Sequence, residues 1–451
     1  MTIVSAAIIG GGLAGCECAC ALAKAGVAVT IFEMKPERFS PAHTSGNLAE
    51  LVCSNSFRSD APDSAVGLLK EEMRSLGSVC MAVAEETRVP AGKALAVDRE
   101  LFSAGVTARV MGETGLRVER REVHALGADG KGEGQPDLRA FDVVVAAAGP
   151  LASDGLTRAL QGYTGGEHLY FYDAIAPVID GASVNMDVAF WGSRYHPEDA
   201  DYLNCPMNKD EYTAFYEALL GGKTFSAHAF EEEVHFEGCM PVEALAERGF
   251  KTLAFGPFKP VGFDDPRTGR RPFALLQLRP ENRNKTMFNL VGCQTKLTHG
   301  EQERIFRLIP GLERAEFVRH GSMHRNTFVN APRVLAADLS LLAAPRMFLA
   351  GQITGVEGYV ESAAVGLWLG LLLGARARGR ELAPPPVETA LGALLGHLRM
   401  PVKRFQPSNV QFGLMPELGV RAGKANRKAL YAERARAAFE QWRVRQGLDG
   451  I

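Results

Sequence analysis

The chain opens on a short apolar run, Val4-Ser5-Ala6-Ala7-Ile8-Ile9, which stops at Gly10. A run of this length bounded by glycine reads as a buried strand. Small residues from Cys16 to Ala25 predict a helix ended by Gly26, and Val27-Ala28-Val29-Thr30-Ile31-Phe32 predicts a second strand closed by Glu33. Helical spacing recurs over 64–77. The stretch 89–97 predicts a hairpin or strand that leads into a helix carrying Phe102, Val106 and Val110. Leu116-Arg117-Val118-Glu119 and Val123-His124-Ala125-Leu126 read as strands, 127–137 as a polar hairpin tip, and 152–161 as a short helix. Between them, 141–148 is apolar on both faces, the pattern of a parallel strand covered on both sides. From Tyr170 aromatic residues rise, strands become irregular, and charged helices are predicted over 209–220 and 242–248. A last strand, 346–350, runs into a glycine turn at Gly351 and an apolar helix from Ala363, and the chain after Pro384-Pro385-Pro386 reads as helical.

This order predicts an α/β protein. A Rossmann-type nucleotide-binding domain occupies 1–165, an inserted second α+β domain 166–345, and the return of the first domain plus a basic helical C-terminal segment 346–451. The opening glycines sharpen that reading. Gly10, Gly12 and Gly15 fill G-x-G-x-x-G between a strand and a helix. The first glycine permits the tight turn, the second lets backbone N–H groups approach a pyrophosphate, and the third lets helix and strand pack closely. The helix N-terminus adds unpaired N–H groups and partial positive charge. Glu33, closing the second strand, can accept the hydroxyls of an adenosine ribose. Gly10, Gly11, Gly12, Leu13, Ala14, Gly15 and Glu33 are therefore the expected cofactor site, joined by Gly351, Gln352 and Gly355 of the late turn. The motif alone leaves FAD and NAD(P) both open.

Composition changes the picture in two places. The hydrophobic share of 46% and charged share of 23% are those of a soluble globular chain. The stretch 363–375 is too short for the roughly 20 residues a bilayer span needs. The first fifteen residues lack the basic start of a signal peptide. A cytoplasmic protein without a membrane partner is expected. The formal charge of -2 does not advertise a polyanionic partner, but from Arg399 onward eleven Lys and Arg face four acids, a local footprint of +7. A solvated surface helix would carry the same run. Eight cysteines form neither a zinc pattern nor C-x-x-C, which argues against a thiol–disulfide oxidoreductase. Cys16, Cys18, Cys20 and Cys80 read as small packing residues. Cys53, Cys205, Cys239 and Cys293 stand in polar or glycine-rich settings.

Several blocks together carry a resemblance: the opening glycines, Cys53-Ser54-Asn55-Ser56-Phe57-Arg58, Asn204-Cys205-Pro206-Met207-Asn208-Lys209, Phe236-Glu237-Gly238-Cys239-Met240-Pro241, the stretch from Val291 to Gly300, His324-Arg325-Asn326-Thr327-Phe328, and the stretch from Gly351 to Tyr359. Over residues 1 to about 430 the chain resembles the folate- and FAD-dependent tRNA (uracil-5-)-methyltransferases, the TrmFO family, themselves related to the GidA flavoproteins that modify wobble uridine. One departure is Ala146-Ala147-Ala148-Gly149, where flavoproteins often have Ala-Thr-Gly.

The resemblance implies FAD as cofactor and transfer of the methylene carbon of 5,10-methylenetetrahydrofolate to C5 of the T-loop uridine of tRNA, with NAD(P)H as the source of reduction. Uracil C5 is a poor nucleophile. A thiolate adding at C6 makes it an enolate, and later leaves by β-elimination. The resemblance implies Cys239 as that thiolate and places Cys53 beside the flavin, assisting it or moving a proton. Cys205 is the runner-up and reads, like Cys293, as structural. The resemblance also suggests His299 as a ring that stacks on the folate pterin. Lys296 and Arg325 are candidate binders of anionic groups, and the C-terminal basic helix and the rim near Arg58 of tRNA. A GidA-like wobble-uridine flavoprotein and a flavin-bearing RNA-binding protein remain the alternatives.

Overall fold

The computed structural model describes residues 3–126, 135–165, 168–194, 196, 199–225, 240–403, 405–419 and 423–448. Cys239 lies outside them, as does most of the tip read at 127–137. The helix Leu13–Lys24 follows the strand Ser5–Ile9 and is followed by the strand Ala28–Glu33. These two strands pair in parallel, Ser5 opposite Ala28 and Ile9 opposite Phe32. They sit inside a six-stranded sheet ordered Ser340–Leu341, Ala344–Leu349, Val143–Ala146, Ser5–Ile9, Ala28–Glu33, Leu116–Arg120. All neighbours are parallel except the hairpin made by the first two.

A second six-stranded sheet draws on the middle of the chain. Its order is Phe190–Trp191, Leu203–Met207, Ala274–Pro280, Met287–Leu290, Val178–Asp180, Phe317–Arg319, with antiparallel pairing throughout. Its core includes Tyr212, Phe215, Phe258, Phe288 and Phe306, which explains the aromatic enrichment after Tyr170. The sheets are connected by a long antiparallel pair, His168–Ile175 with Ser322–Val329. Cys205 and Cys293 are buried in the second core, and Cys16, Cys18, Cys20 and Cys80 in the first.

Two expectations need correction. The stretch Val123-His124-Ala125-Leu126 forms no strand. Val123 and Leu126 are buried, but the His124 amide donates to the Gln135 side chain (2.9 Å) and not to a neighbouring strand. The apolar helix begins at Tyr359, four residues before Ala363, and runs to Ala377. By length and composition it is long enough to cross a membrane, yet most of it is buried inside the protein. Its Gly366, Gly370 and Gly374 recur every fourth residue, so they share one face. A Cβ on Gly366 would stand 2.2 Å from the Ala14 carbonyl oxygen, and one on Gly370 2.7 Å from that of Cys18. The glycines therefore let this helix lie directly against Leu13–Lys24, whose alanines and cysteines are the matching small surface.

Candidate functional site

One cleft runs from the opening glycine turn to the Cys53 turn. Its wall includes Gly10–Ala14, Glu33, Cys53, Ala147–Pro150, Asp173, Arg279, Gly351, Gln352, Glu357 and Tyr359, and its empty volume is about 2010 Å³, open mouth included. Three parts of the fold supply it: the C-terminal ends of the parallel strands, the linking strand pair, and the Arg279 strand of the second sheet.

At one end the geometry suits a dinucleotide. Gly10 has φ +102° and lies against the 147–148 backbone, where a Cβ would be 2.7 Å from Ala147 O. A Cβ on Gly15 would be 1.9 Å from Gly10 O, so this glycine is what lets helix and strand touch. Gly12 differs. It is exposed, its φ of -76° is ordinary, and the nearest atom to an added Cβ is 4.0 Å away. Nothing inside the protein requires a glycine there. The helix that Gly12 caps has no side-chain cap and no acid in its first turn, so its N–H groups face the cleft for an anion. The buried Glu33 carboxylate accepts from the Gly11 amide (2.7 Å) and the Lys35 amide (2.9 Å), and Glu33 lines the cleft. These residues fit the pyrophosphate and ribose of FAD.

At the other end the Cys53 turn is held from several directions. The Arg99 guanidinium donates to Leu51 O (2.6 Å) and pairs with Glu281. Arg279, from the second sheet, donates to the Asn55 side chain and to Ser54 Oγ, both at 2.8 Å. Asn55 in turn donates to Val97 O (2.9 Å) and Pro280 O (3.0 Å). The Cys53 amide donates to the Tyr359 hydroxyl (2.8 Å), which also lies 3.0 Å from Cys53 Sγ. Burial pushes the Cys53 thiol up to about 11. Burial, with the Asp173 charge next, also raises the Glu357 carboxyl well above the usual range.

Not every expected residue reaches this cleft. Gly355 does not line it. Its φ is +96° and an added Cβ would meet the Phe405 ring at 2.3 Å, so its missing side chain makes room for packing. His299 is exposed at the start of the helix His299–Phe306, away from the cleft wall. It stacks on His320 with ring centroids 4.4 Å apart, and Phe317 also stacks on His320, at 5.3 Å. Arg58 lines the cleft and pairs with the buried Glu361. The side chain of Arg325 lies outside the described residues. Tyr359, Arg99 and Arg279 carry no role in the sequence reading. Only Tyr359 had a signal, its place behind a glycine at the start of a helix.

The family model of glucose inhibited division protein A matches residues 5–381. A curated methylenetetrahydrofolate--tRNA-(uracil-5-)-methyltransferase TrmFO from Oleidesulfovibrio alaskensis is 68% identical over 440 residues, covering 98% of this chain and 97% of the relative. The chain belongs to the TrmFO group of that family. A TrmFO of the same description from Geobacter sulfurreducens is 55% identical over 437 residues, covering 96% of this chain and 98% of its own length. Among solved structures, GidA of Aquifex aeolicus in its form II crystal superposes with a TM-score of 0.68 at 16% identity, over 97% of this chain and 73% of that one. That likeness confirms the Rossmann-type fold with its second domain. In this TrmFO chain the opening glycine turn and the Cys53 turn line one cleft.

Proposed function

We propose that the chain transfers the methylene carbon of 5,10-methylenetetrahydrofolate to C5 of the T-loop uridine of tRNA, giving 5-methyluridine, as a cytoplasmic enzyme that uses FAD and takes reduction from NAD(P)H. The observation that carries this reading is the 68% identity to a curated TrmFO along 98% of the chain. The cleft supports it, since the dinucleotide end and the Cys53 end form one continuous wall. Bound FAD supplies the redox chemistry that turns a methylene carbon into a methyl group.

The protein's own groups do the rest. The Gly10–Ala14 turn and the uncapped helix behind it bind the pyrophosphate, and Glu33 the ribose. Gly351 and Gln352 flank the far end, where the Gln352 amide is held by Glu357 at 2.5 Å. Cys239 is the nucleophile at uracil C6. Its thiolate adds to C6, C5 takes the carbon and loses its proton, and β-elimination returns the thiolate. Cys53 manages a proton beside the ring. The base must leave its loop stack to reach the cleft.

The test uses FAD-loaded protein, unmodified tRNA, NAD(P)H and folate labelled in the methylene carbon. Label in uracil at C5 with the wild type and none with Cys239→Ser is the expected outcome. Label in both moves the nucleophile to another cysteine. Label in neither defeats the methyltransferase reading and favours the wobble-uridine or binding-only alternatives.

A further inference from the structure

Cys53 and Tyr359 are 306 positions apart in the chain and meet in the cleft wall. The Tyr359 hydroxyl makes three polar contacts: the Cys53 amide at 2.8 Å, the Ser54 amide at 3.3 Å, and Cys53 Sγ at 3.0 Å. An amide can only donate, and a phenol oxygen has two acceptor positions and one proton. The two amides use the acceptor positions, which leaves the phenol proton for the sulfur. The ring has little freedom to choose otherwise. It stands on the first residue of a nineteen-residue helix, is buried at its hydroxyl end, and packs against Phe57 with centroids 5.9 Å apart.

We propose that Tyr359 is a positioning residue for Cys53: its hydroxyl, aimed by the Cys53 and Ser54 amides, donates to Sγ and stabilises that sulfur as a thiolate. The inference deepens the reading of Cys53 as a proton-handling group and rests on it. Only one bond breaks when the sulfur ionises, S–H, and its proton passes to water in the cleft while the phenol keeps its own. The surroundings make such a donor necessary. Burial is the main opposition to a Cys53 thiolate, the Asp173 charge comes next, and the Glu357 carboxyl, whose own ionisation burial resists, adds a smaller effect. Against them stand the Arg99 guanidinium, shared with Glu281, and the Tyr359 hydrogen bond. Arg319 lies close behind, contacting Val52 O at 3.5 Å. A neutral donor fixed at hydrogen-bond distance favours the thiolate without adding a charge that would compete for substrate anions.

The experiment follows alkylation of Cys53 by iodoacetamide across pH in the FAD-loaded full chain, read on the Cys53 peptide by mass spectrometry. Wild type is compared with Tyr359→Phe and with protein carrying 3-fluorotyrosine at position 359. Losing a hydrogen bond to a charged group moves a midpoint by about one pH unit or more, and one unit, about 1.4 kcal/mol, is tenfold. Tyr359→Phe should therefore move the midpoint upward and slow alkylation below it about tenfold. The fluorinated ring keeps the shape and is a stronger donor, so its midpoint should move downward. Midpoints that stay together in the wild type and the fluorinated protein overturn the proposal, and that arm decides alone if the phenylalanine variant fails to retain FAD. Alkylation needs neither folate nor tRNA, so a failure of the methylation assay would count against the proposed reaction and leave this result standing.

Discussion

Glycines of one motif have different reasons to be glycine, and substitution separates them. Gly15 is a packing glycine, with a carbonyl 1.9 Å from where a Cβ would sit, while Gly12 has open space around it. Gly15→Ala should cost about 1–3 kcal/mol of stability through overpacking. Gly12→Ala should leave stability within about 0.5 kcal/mol of wild type, as for other surface changes, while weakening FAD binding by crowding the approach of the pyrophosphate. Melting curves and FAD titrations on the two variants check this, and equal FAD affinity for wild type and Gly12→Ala would sink the pyrophosphate assignment. At this scale the sequence showed the turn and the cysteine blocks, because both are contiguous. It did not show the partner of Cys53, which arrives from 306 positions away, nor that Gly355 answers to Phe405. Contacts made by tertiary packing leave no local spacing to read.

Elements were legible where period and length agreed. The helix Lys209–Leu220 matches its predicted bounds, and the opening strand, helix and strand differ from theirs by three residues at most. The stretch at Val123 misled because two buried apolar residues three apart serve a loop as well as a strand. The helix Tyr359–Ala377 is the most instructive case. Its glycines lower helix propensity and look like defects in isolation, and only the facing helix explains them. Gly370→Leu would push that helix off the Cys18 backbone and should cost more than the roughly 1–3 kcal/mol of a single extra methylene, with FAD lost as Leu13–Lys24 shifts. A variant that keeps wild-type melting and FAD content would contradict this packing. A pH effect belongs here too. The buried Glu72 carboxylate accepts from the Ala390 and Leu391 amides, both at 2.8 Å, joining Ala65–Ser75 to Ala390–His397. Burial raises its pKa from 4.5 to about 8. The folded state thus holds a proton that the unfolded chain releases earlier, so this contribution is complete below pH 4.5 and is lost as pH rises through about 8. Melts of wild type and Glu72→Gln across that window should show a decline in the wild type that the variant lacks.

For the whole molecule, the charge count at the C-terminus overstated what is free to meet a polyanion. Several of those arginines are occupied. Arg434 donates to the Pro416 and Glu417 carbonyls, Arg436 pairs with Glu71, and Arg443 with Glu440. Arg427 and Lys428 are exposed on the helix Lys424–Arg445. If tRNA binds along this helix, replacing Lys428 with alanine should weaken it and lower the slope of log affinity against log salt by about one. Arg436→Ala should leave that slope in place and change stability by at most about 1 kcal/mol, as for other surface ion pairs. Filter-binding titrations over a salt series distinguish the two, and identical slopes for Lys428→Ala and wild type would remove this helix from the footprint.

The bonds from Arg279 and Asn55 have a consequence for how such a protein can evolve. An inserted lobe is usually pictured as cargo, attached at its two ends and free to be exchanged. Here the lobe's own strand ends in Arg279 and Pro280, and both are tied to the cysteine turn of its host. Cutting the lobe out would leave a nucleotide-binding body whose cysteine loop had lost its scaffolding. The two parts therefore depend on each other, and swapping the lobe between relatives should succeed only when the loop travels with it.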